Sequence, residues 1–391
     1  MECDIAVIGA GPAGLSFARL LAGSGISVVL VERAPEAAIA DPAFDGREIA
    51  LTHRSQEILQ EIEAWDRIPA NEMAPLRHAR VQDGASPFVL DFSPPGETPL
   101  GMLVPNHLIR RALHESVRET GCATLLAGVA VTAVETSPRH GRLTLADGQT
   151  IRAKLVVAAD TRMSEARRQM GIATRMRDLG KSMLVARVAH EKPHGGVATE
   201  WFGHGQTVAM LPLNGDVSSI VLTLSAREIA DLMAMTPEAF GADATRRTQD
   251  RWGAMRLVGT RHAYPLVTTY AMRFVGTRFA LVGDAAVGMH PVTAHGFNFG
   301  LAGAARLAKE IRASLARGRD IADPGGLLRY ERAHRIATAP LYAATNTIAS
   351  LYTDDRAPAR LLRGAVLRLG SALAPVRRMV TAQLMEATPA R

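Results

Sequence analysis

Residues 4–33 read Asp-Ile-Ala-Val-Ile-Gly-Ala-Gly-Pro-Ala-Gly-Leu-Ser-Phe-Ala-Arg-Leu-Leu-Ala-Gly-Ser-Gly-Ile-Ser-Val-Val-Leu-Val-Glu-Arg. Ile5, Ala6, Val7 and Ile8 form a short apolar run with the character of a buried strand. Gly9, Gly11 and Gly14 follow at GxGxxG spacing; an amphipathic segment covers 12–22, and a second apolar strand, 28–31, ends at Glu32. This is one β-α-β unit of the length a dinucleotide-binding fold requires, with an acid after its second strand. Gly9 suits a tight turn, Gly11 lets a pyrophosphate approach the backbone, and Gly14 lets the helix pack closely on the strand. The helix N-terminus adds free N–H groups and partial positive charge. Glu32 is placed to accept hydrogen bonds from an adenosine ribose. These residues alone leave NAD(P) and FAD both open.

Working outward, the 391 residues suffice for two domains or one large one with insertions. A hydrophobic share of 47% against 21% charged residues indicates a soluble globular protein with a substantial core. Cys3 and Cys122 are the only cysteines and form no CxxC pair, which argues against a disulfide framework or a metal site and suits a reducing cytoplasm. The chain opens on the nucleotide-fold strand rather than on a secretory leader, and no run is apolar for the length of a membrane span. The net charge of +7 suits an anionic cofactor, an anionic lipid surface or simply a solvated arginine-rich exterior. Scattered arginines and 5% aromatics offer no stacking platform for nucleic acid.

Residues 35–42 read as a loop, and 45–51 as a lead into a helix ending near Ala64, with Arg47 just before it. Arg47 is a structural ion-pair partner or a cofactor contact. Residues 75–103 mix Pro, Gly and short strands such as 88–92. A helix is expected from Val104 to about Glu119, with Arg110 in an early turn. Strands are expected at 129–135, 142–145 and 151–158, the last ending at Asp160, with a helical turn beginning at Ser164. Strands at 183–188, 207–211 and 218–224, with helices over 226–252, make an antiparallel layer suited to cover a buried site. A buried strand at 279–282 enters Gly283-Asp284-Ala285-Ala286. The loop from His290 to Gly300 then opens a long helix, 298–317. Residues 326–391 read as helical, broken at Pro340, Pro358 and Pro375.

Three motifs stand in order: the glycine set with Glu32, Asp160 after a strand, and Gly283-Asp284 after another. In this the chain resembles the single-component FAD-dependent aromatic hydroxylases, the para-hydroxybenzoate hydroxylase class. Within that class it is similar to the ubiquinone-biosynthesis hydroxylases. The likeness covers nearly the whole chain, including Tyr330-Glu331-Arg332. It implies an α/β fold: a Rossmann-like FAD-binding domain (1–74, 100–178 and 265–325), an interleaved α+β substrate domain on an antiparallel sheet (75–99 and 179–264), and a helical C-terminal region (326–391). It also implies that Gly9, Gly11, Gly14 and Glu32 hold the ADP half of FAD, and that Ala13, Arg33 and Val129 bind the cofactor too. Arg47, Arg110, Asp160, Gly283 and Asp284 approach the rest of the cofactor. Pro291, Gly296, Phe297 and Asn298 lie at the flavin ring, where a helix N-terminus stabilises charge on the reduced flavin.

The sequence departs from the family pattern at Thr161, where Gly is usual, at Val287, where His is usual, and in the loop Pro291-Val292-Thr293-Ala294-His295-Gly296. The electron donor, NAD(P)H or another, is left open by Thr161. The loop form resembles a subgroup acting on demethoxyubiquinol-type rings. Pro291 and His295 are the side chains nearest the expected chemistry, His295 being an acid–base candidate or a packing histidine.

The implied activity is hydroxylation of a polyprenylated phenol or quinol with O2, through a flavin C4a-hydroperoxide. The rivals are a hydroxylase of a soluble aromatic, another FAD oxidoreductase of this fold, and a non-catalytic flavin-binding subunit of a biosynthetic complex. Leu362, Val366, Leu369 and Leu373 share one helical face, with Arg360, Arg363 and Arg368 on the other. That face suits a peripheral position on the inner membrane surface, a partner protein of the same pathway, or the protein's own core.

Overall fold

The computed structural model describes residues 1–84, 89–94, 96–203, 205–290 and 295–353. Its first eight-stranded sheet is centred on Glu2–Ile8. Thr124–Ala127, Val28–Glu32, Glu2–Ile8, Thr150–Ala158 and Phe279–Leu281 lie side by side in that order, all parallel. Parallel strands joined by helical crossovers are covered on both faces, so their sequences are apolar throughout. Ile5, Val7, Leu30, Leu155, Val157 and Ala280 accordingly have no exposed surface. The helices Pro12–Leu20, Asn106–Thr120 and Gly296–Ala316 belong to this layer, the first in contact with the other two.

Gly14 sets the closeness of that packing: a Cβ there would lie 2.0 Å from the Gly9 carbonyl oxygen. Gly9 has φ +102°, and a Cβ on it would meet the Ala159 oxygen at 2.7 Å. Turn, helix and neighbouring strand therefore meet through bare backbone.

The second eight-stranded sheet is antiparallel except where Val197–Gly203 runs parallel to His78–Asp83. Its central strands, Thr174–His190, Val217–Leu224 and Gln206–Pro212, split by parity. Leu184, Ala186 and Val188, Val208 and Met210, and Ile220, Leu222 and Leu224 form one core with Ile229, Leu232 and Phe240 of the helices Ala226–Ala234 and Pro237–Arg247. The alternate residues face the other way, towards the first sheet's loops. A small three-stranded sheet, Glu48–Leu51, Gly101–Pro105 and Ala74–Leu76, completes the fold.

Several local expectations are corrected. Residues Glu36–Ala40 form a short helix rather than a loop, as alanines after Pro35 allow. A strand, Glu48–Leu51, separates Arg47 from the helix, which is His53–Glu61. The next helix starts at Asn106, because Gly101–Pro105 is committed to sheet pairing with Glu48–Leu51. Strands Thr124–Ala127, Val197–Gly203 and Met255–Ala271 are additional. The last is long yet weakly patterned: among the described residues, beyond Thr174–His190 it pairs only at Thr269 and Tyr270, which leaves its charges and Pro265 on an edge strand. Both 17-residue strands run across the domain limits expected near 178 and 265.

Pro340 does not end its helix, which runs Pro324–Thr353. Tertiary anchors hold both sides of it: the Tyr330 hydroxyl donates to the Leu281 carbonyl at 2.6 Å, and the Tyr342 ring lies 4.8 Å from Tyr270. Pro358, Pro375 and the amphipathic face from Arg360 to Leu373 lie outside the described residues.

Replacing Gly14 by Ala forces its helix off the Gly9 turn. The expected loss is roughly 1–3 kcal/mol, the range for overpacking, read as a lower melting temperature and urea midpoint.

Candidate functional site

A cavity of about 750 Å³ lies between the two sheets' layers. One wall is made of loops at the C-terminal ends of the parallel strands, where ligands bind in open α/β sheets. Gly11, Pro12 and Ala13 bring the N-terminus of Pro12–Leu20 to it, and Gly296, Phe297 and Gly300 bring that of Gly296–Ala316. Two helix N-termini, with their positive dipole ends, thus meet one cavity. A Cβ on Gly11 would meet nothing within 4 Å, so this glycine faces the open space. Gly283, at φ +62°, brings the second loop against the first: its Cβ would lie 2.7 Å from that of Ala13.

Charged side chains ring this wall. Arg47 pairs with Asp45, which also accepts from the Asn106 amide at 2.7 Å, while the Tyr264 hydroxyl donates to the Asp45 carbonyl at 2.7 Å. Burial opposes ionisation of Asp45, but Arg47 and the hydrogen bonds hold its carboxyl below the usual range. Arg110, one turn into its helix, also lines the cavity. Asp284 pairs with Arg162 at 3.1 Å, and Arg162 also donates to the Val267 carbonyl at 2.9 Å. Asp160 lines the cavity with Oδ1 buried and without a partner among the described residues. Burial raises its pKa against the opposing pull of Ser164 and Arg167. Arg167 is itself buried and donates to the Ala285 and Arg162 carbonyls, tying the second motif to the third.

Gly9, Gly14, Glu32, Arg33, Val129, His295 and Asn298 stand off the cavity surface. The Glu32 carboxylate accepts from Ala10 N at 2.9 Å and Ala34 N at 3.0 Å, bracing both loops that follow the first two strands. Val129 N donates to the Glu32 carbonyl at 3.1 Å, and Arg33 is exposed. The Asn298 amide donates to the Ala50 carbonyl at 2.8 Å, fastening the long helix to the strand Glu48–Leu51. His295, 3% exposed, packs its ring on Phe299. Pro291 lies outside the described residues. Val287, buried, pairs with Tyr270 in a two-residue strand.

The opposite wall is the inner face of the second sheet. Met183, Val185, Phe202, Ala209, Leu211 and Val221 make it apolar, and Thr207, Ser219 and Thr223 add hydroxyls. It also carries Glu200, whose pKa is pushed up to about 8 by burial. Glu48 lies at the edge, fully buried at its side chain and paired with Arg187 at 2.8 Å. Glu200, Glu48, Arg162 and Tyr264 are cavity residues that local sequence reading missed. Only the strand alternation of 197–203 points to Glu200, and that strand shows itself through its pairing. Among the described residues no three His, Cys, Asp or Glu side chains converge as a metal site would require.

The first wall fits an elongated anionic dinucleotide. Gly11 leaves the room a pyrophosphate needs, two helix N-termini supply donors, and the orphaned Asp160 oxygen awaits a hydroxyl or N–H.

A sequence model of the FAD binding domain family matches residues 2–343. The chain is 45% identical to ubiquinone hydroxylase UbiM of Neisseria meningitidis, over 98% of this chain and 85% of that one. It is 38% identical to ubiquinone hydroxylase UbiL of Rhodospirillum rubrum, over 94% and 86% respectively. Among solved structures it superposes on OxyS anhydrotetracycline hydroxylase from Streptomyces rimosus with a TM-score of 0.73 at 23% identity, covering 99% of this chain and 76% of that one, a likeness of fold.

His290, on the cavity and 6% exposed, has its pKa pushed down to about 4 by burial. The unfolded chain protonates it near its ordinary value, so its contribution is intact above pH ~6.5 and is lost as pH falls towards 4. His290→Gln therefore shows a shallower loss of melting temperature across that interval than the parent chain. Other buried groups such as His334 keep the remaining acid dependence.

Proposed function

The chain belongs to the FAD binding domain family, and on that premise we propose that it is an FAD-dependent monooxygenase hydroxylating the ring of a polyprenylated phenol or quinol in ubiquinone biosynthesis. The observation that carries this reading is the two-walled cavity: donors and glycines for an anionic dinucleotide on one side, an apolar sheet face on the other. The relatives named as ubiquinone hydroxylases, at 45% and 38% identity across nearly the whole chain, support the substrate class.

In this reading Gly9, Gly11, Gly14 and Glu32 hold the ADP half of FAD, and Ala13, Arg33 and Val129 bind the cofactor too. Arg47, Arg110 and Asp160 approach the cofactor beyond it, and Gly283 and Asp284 take its ribityl and pyrophosphate region. The N-terminal turn at Gly296, Phe297 and Asn298 faces the flavin ring. Bound FAD would supply the redox chemistry, with two electrons from NAD(P)H or another donor and O2 as the source of the oxygen atom given to the ring, the second oxygen leaving as water.

The chain's own contribution is positioning and shielding. Met183, Val185, Phe202 and Leu211 exclude water and receive the apolar ring. The helix N-terminus at Gly296 stabilises negative charge where the flavin gains electrons. His295 acts here by fixing that turn against Phe299.

Expression in bacteria lacking a ring hydroxylase of this pathway is expected to restore the hydroxylated quinone intermediate, detected by mass spectrometry. A yellow protein that leaves the precursor unchanged would favour the flavin-binding subunit, and a colourless one would remove the FAD reading.

Among the described residues no helix is long and apolar enough to cross a membrane. A greasy substrate still requires access to the bilayer, and we assign that contact to the amphipathic face from Arg360 to Leu373, on the inner surface of the plasma membrane or against another protein of the pathway. Full-length protein is expected to float with anionic liposomes, and protein ending at residue 353 to remain at the bottom of the gradient. Equal flotation would exclude the tail.

A further inference from the structure

Glu200 is the carboxylate of this cavity for which the described residues supply no partner. Glu48 is paired with Arg187, Asp284 with Arg162, and Asp160 lies beside Ser164 and Arg167. Among the described residues nothing hydrogen-bonds or ion-pairs with the Glu200 carboxyl, although it lies on the apolar wall. The sheet register sets it within a cross-strand row, Val81–Glu200–Ala209–Val221–Val185, whose other members are all apolar, with His262 the next position beyond Val185. One pleat along, Ser219 pairs across to Leu211 on the same face. Ser219 has no exposed surface, and its Oγ likewise has no partner among the described residues.

A carboxyl and a hydroxyl left unsatisfied among apolar side chains are destabilising unless something else satisfies them. Glu200 stands accessible on the wall facing the dinucleotide loops, where a ligand sandwiched between the walls would meet it, and Ser219 lies beneath the same wall. The ligand chemistry they fit is a flat apolar ring carrying oxygen substituents. The inference rests on the function proposed above and names the residue by which the ring is read.

We propose that Glu200 binds a hydroxyl group of the aromatic substrate and so decides which ring carbon is turned towards the Gly296 end of the cavity. A neutral carboxyl both donates to and accepts from a phenolic hydroxyl, and burial favours the neutral form here. Hydrogen bonding from the ring hydroxyl also enriches the ring in electrons, which suits attack by an electrophilic oxygen. A site built to bond a hydroxyl rejects the analogue lacking it far more strongly than a purely apolar pocket does, because its own polar group is then left unpaired.

The test is calorimetric titration of the FAD-loaded enzyme with a methoxyphenol bearing a short prenyl tail, and with the O-methyl ether of the same compound. The parent enzyme is expected to bind the phenol at least about tenfold more tightly than the ether. Glu200→Met, apolar and similar in size, should bring the two affinities within about twofold, whereas Glu200→Gln, still able to donate and accept, should keep most of the preference. Flavin absorbance and melting temperature serve as folding controls for both variants. An unchanged preference in Glu200→Met overturns the proposal. A parent enzyme that binds neither compound overturns the proposed function, and this inference with it.

Discussion

The contact on which the rest depends is the one between Gly14 and the carbonyl of Gly9. With no side chain in between, the first helix sits directly on the turn that ends the first strand, and its N-terminus is delivered to the cavity wall. The Gly283 turn then seats itself on Ala13, and Gly300 seats the long helix on Gly283, where a Cβ would come within 3.3 Å of the Gly283 Cα. Three loops distant in sequence are thereby stacked through glycine. Their order is not adjustable piecemeal, because each contact uses a glycine's lack of a side chain.

Electrostatics follow from that stack. Two helix N-termini and several arginines face one space, an arrangement unfavourable in isolation. The protein compensates from behind: Asp45 under Arg47, Asp284 against Arg162, and backbone carbonyls around Arg167. An anionic ligand completes the balance, so the apo protein and the loaded one differ in stability by the linkage of binding to folding.

The opening stretch was legible because every part of it is local. Strand, turn glycines, helix and acid lie within thirty residues, and each has its own chemical signature. The same holds for Asp160 and for Gly283-Asp284, which follow short apolar strands. Elements whose stability comes from partners were harder to see. Met255–Ala271 carries charges, Gly259 and Pro265 and is a strand because Thr174–His190 pairs with it. Val197–Gly203 is recognised by Gln206–Pro212 on one side and His78–Asp83 on the other. Glu200 was invisible for the same reason: its place opposite the dinucleotide loops exists only once the sheet is assembled. The neighbourhoods of Arg47 and Arg110 were readable, but the Asp45 hub that orients Arg47 requires Asn106 and Tyr264 to arrive from far along the chain.

The parity of the second sheet has a consequence for how such a protein diversifies. Residues 184, 186, 208, 210, 220 and 222 belong to the core, while 183, 185, 207, 209, 221 and 223 belong to the cavity. The chemistry of ring recognition and the integrity of the layer are therefore written on alternate letters of the same strands. Drift at the odd positions can remodel the chamber, one side chain at a time, while the scaffold's own packing is inherited intact. A lineage built this way can explore new aromatic ligands without first acquiring spare stability.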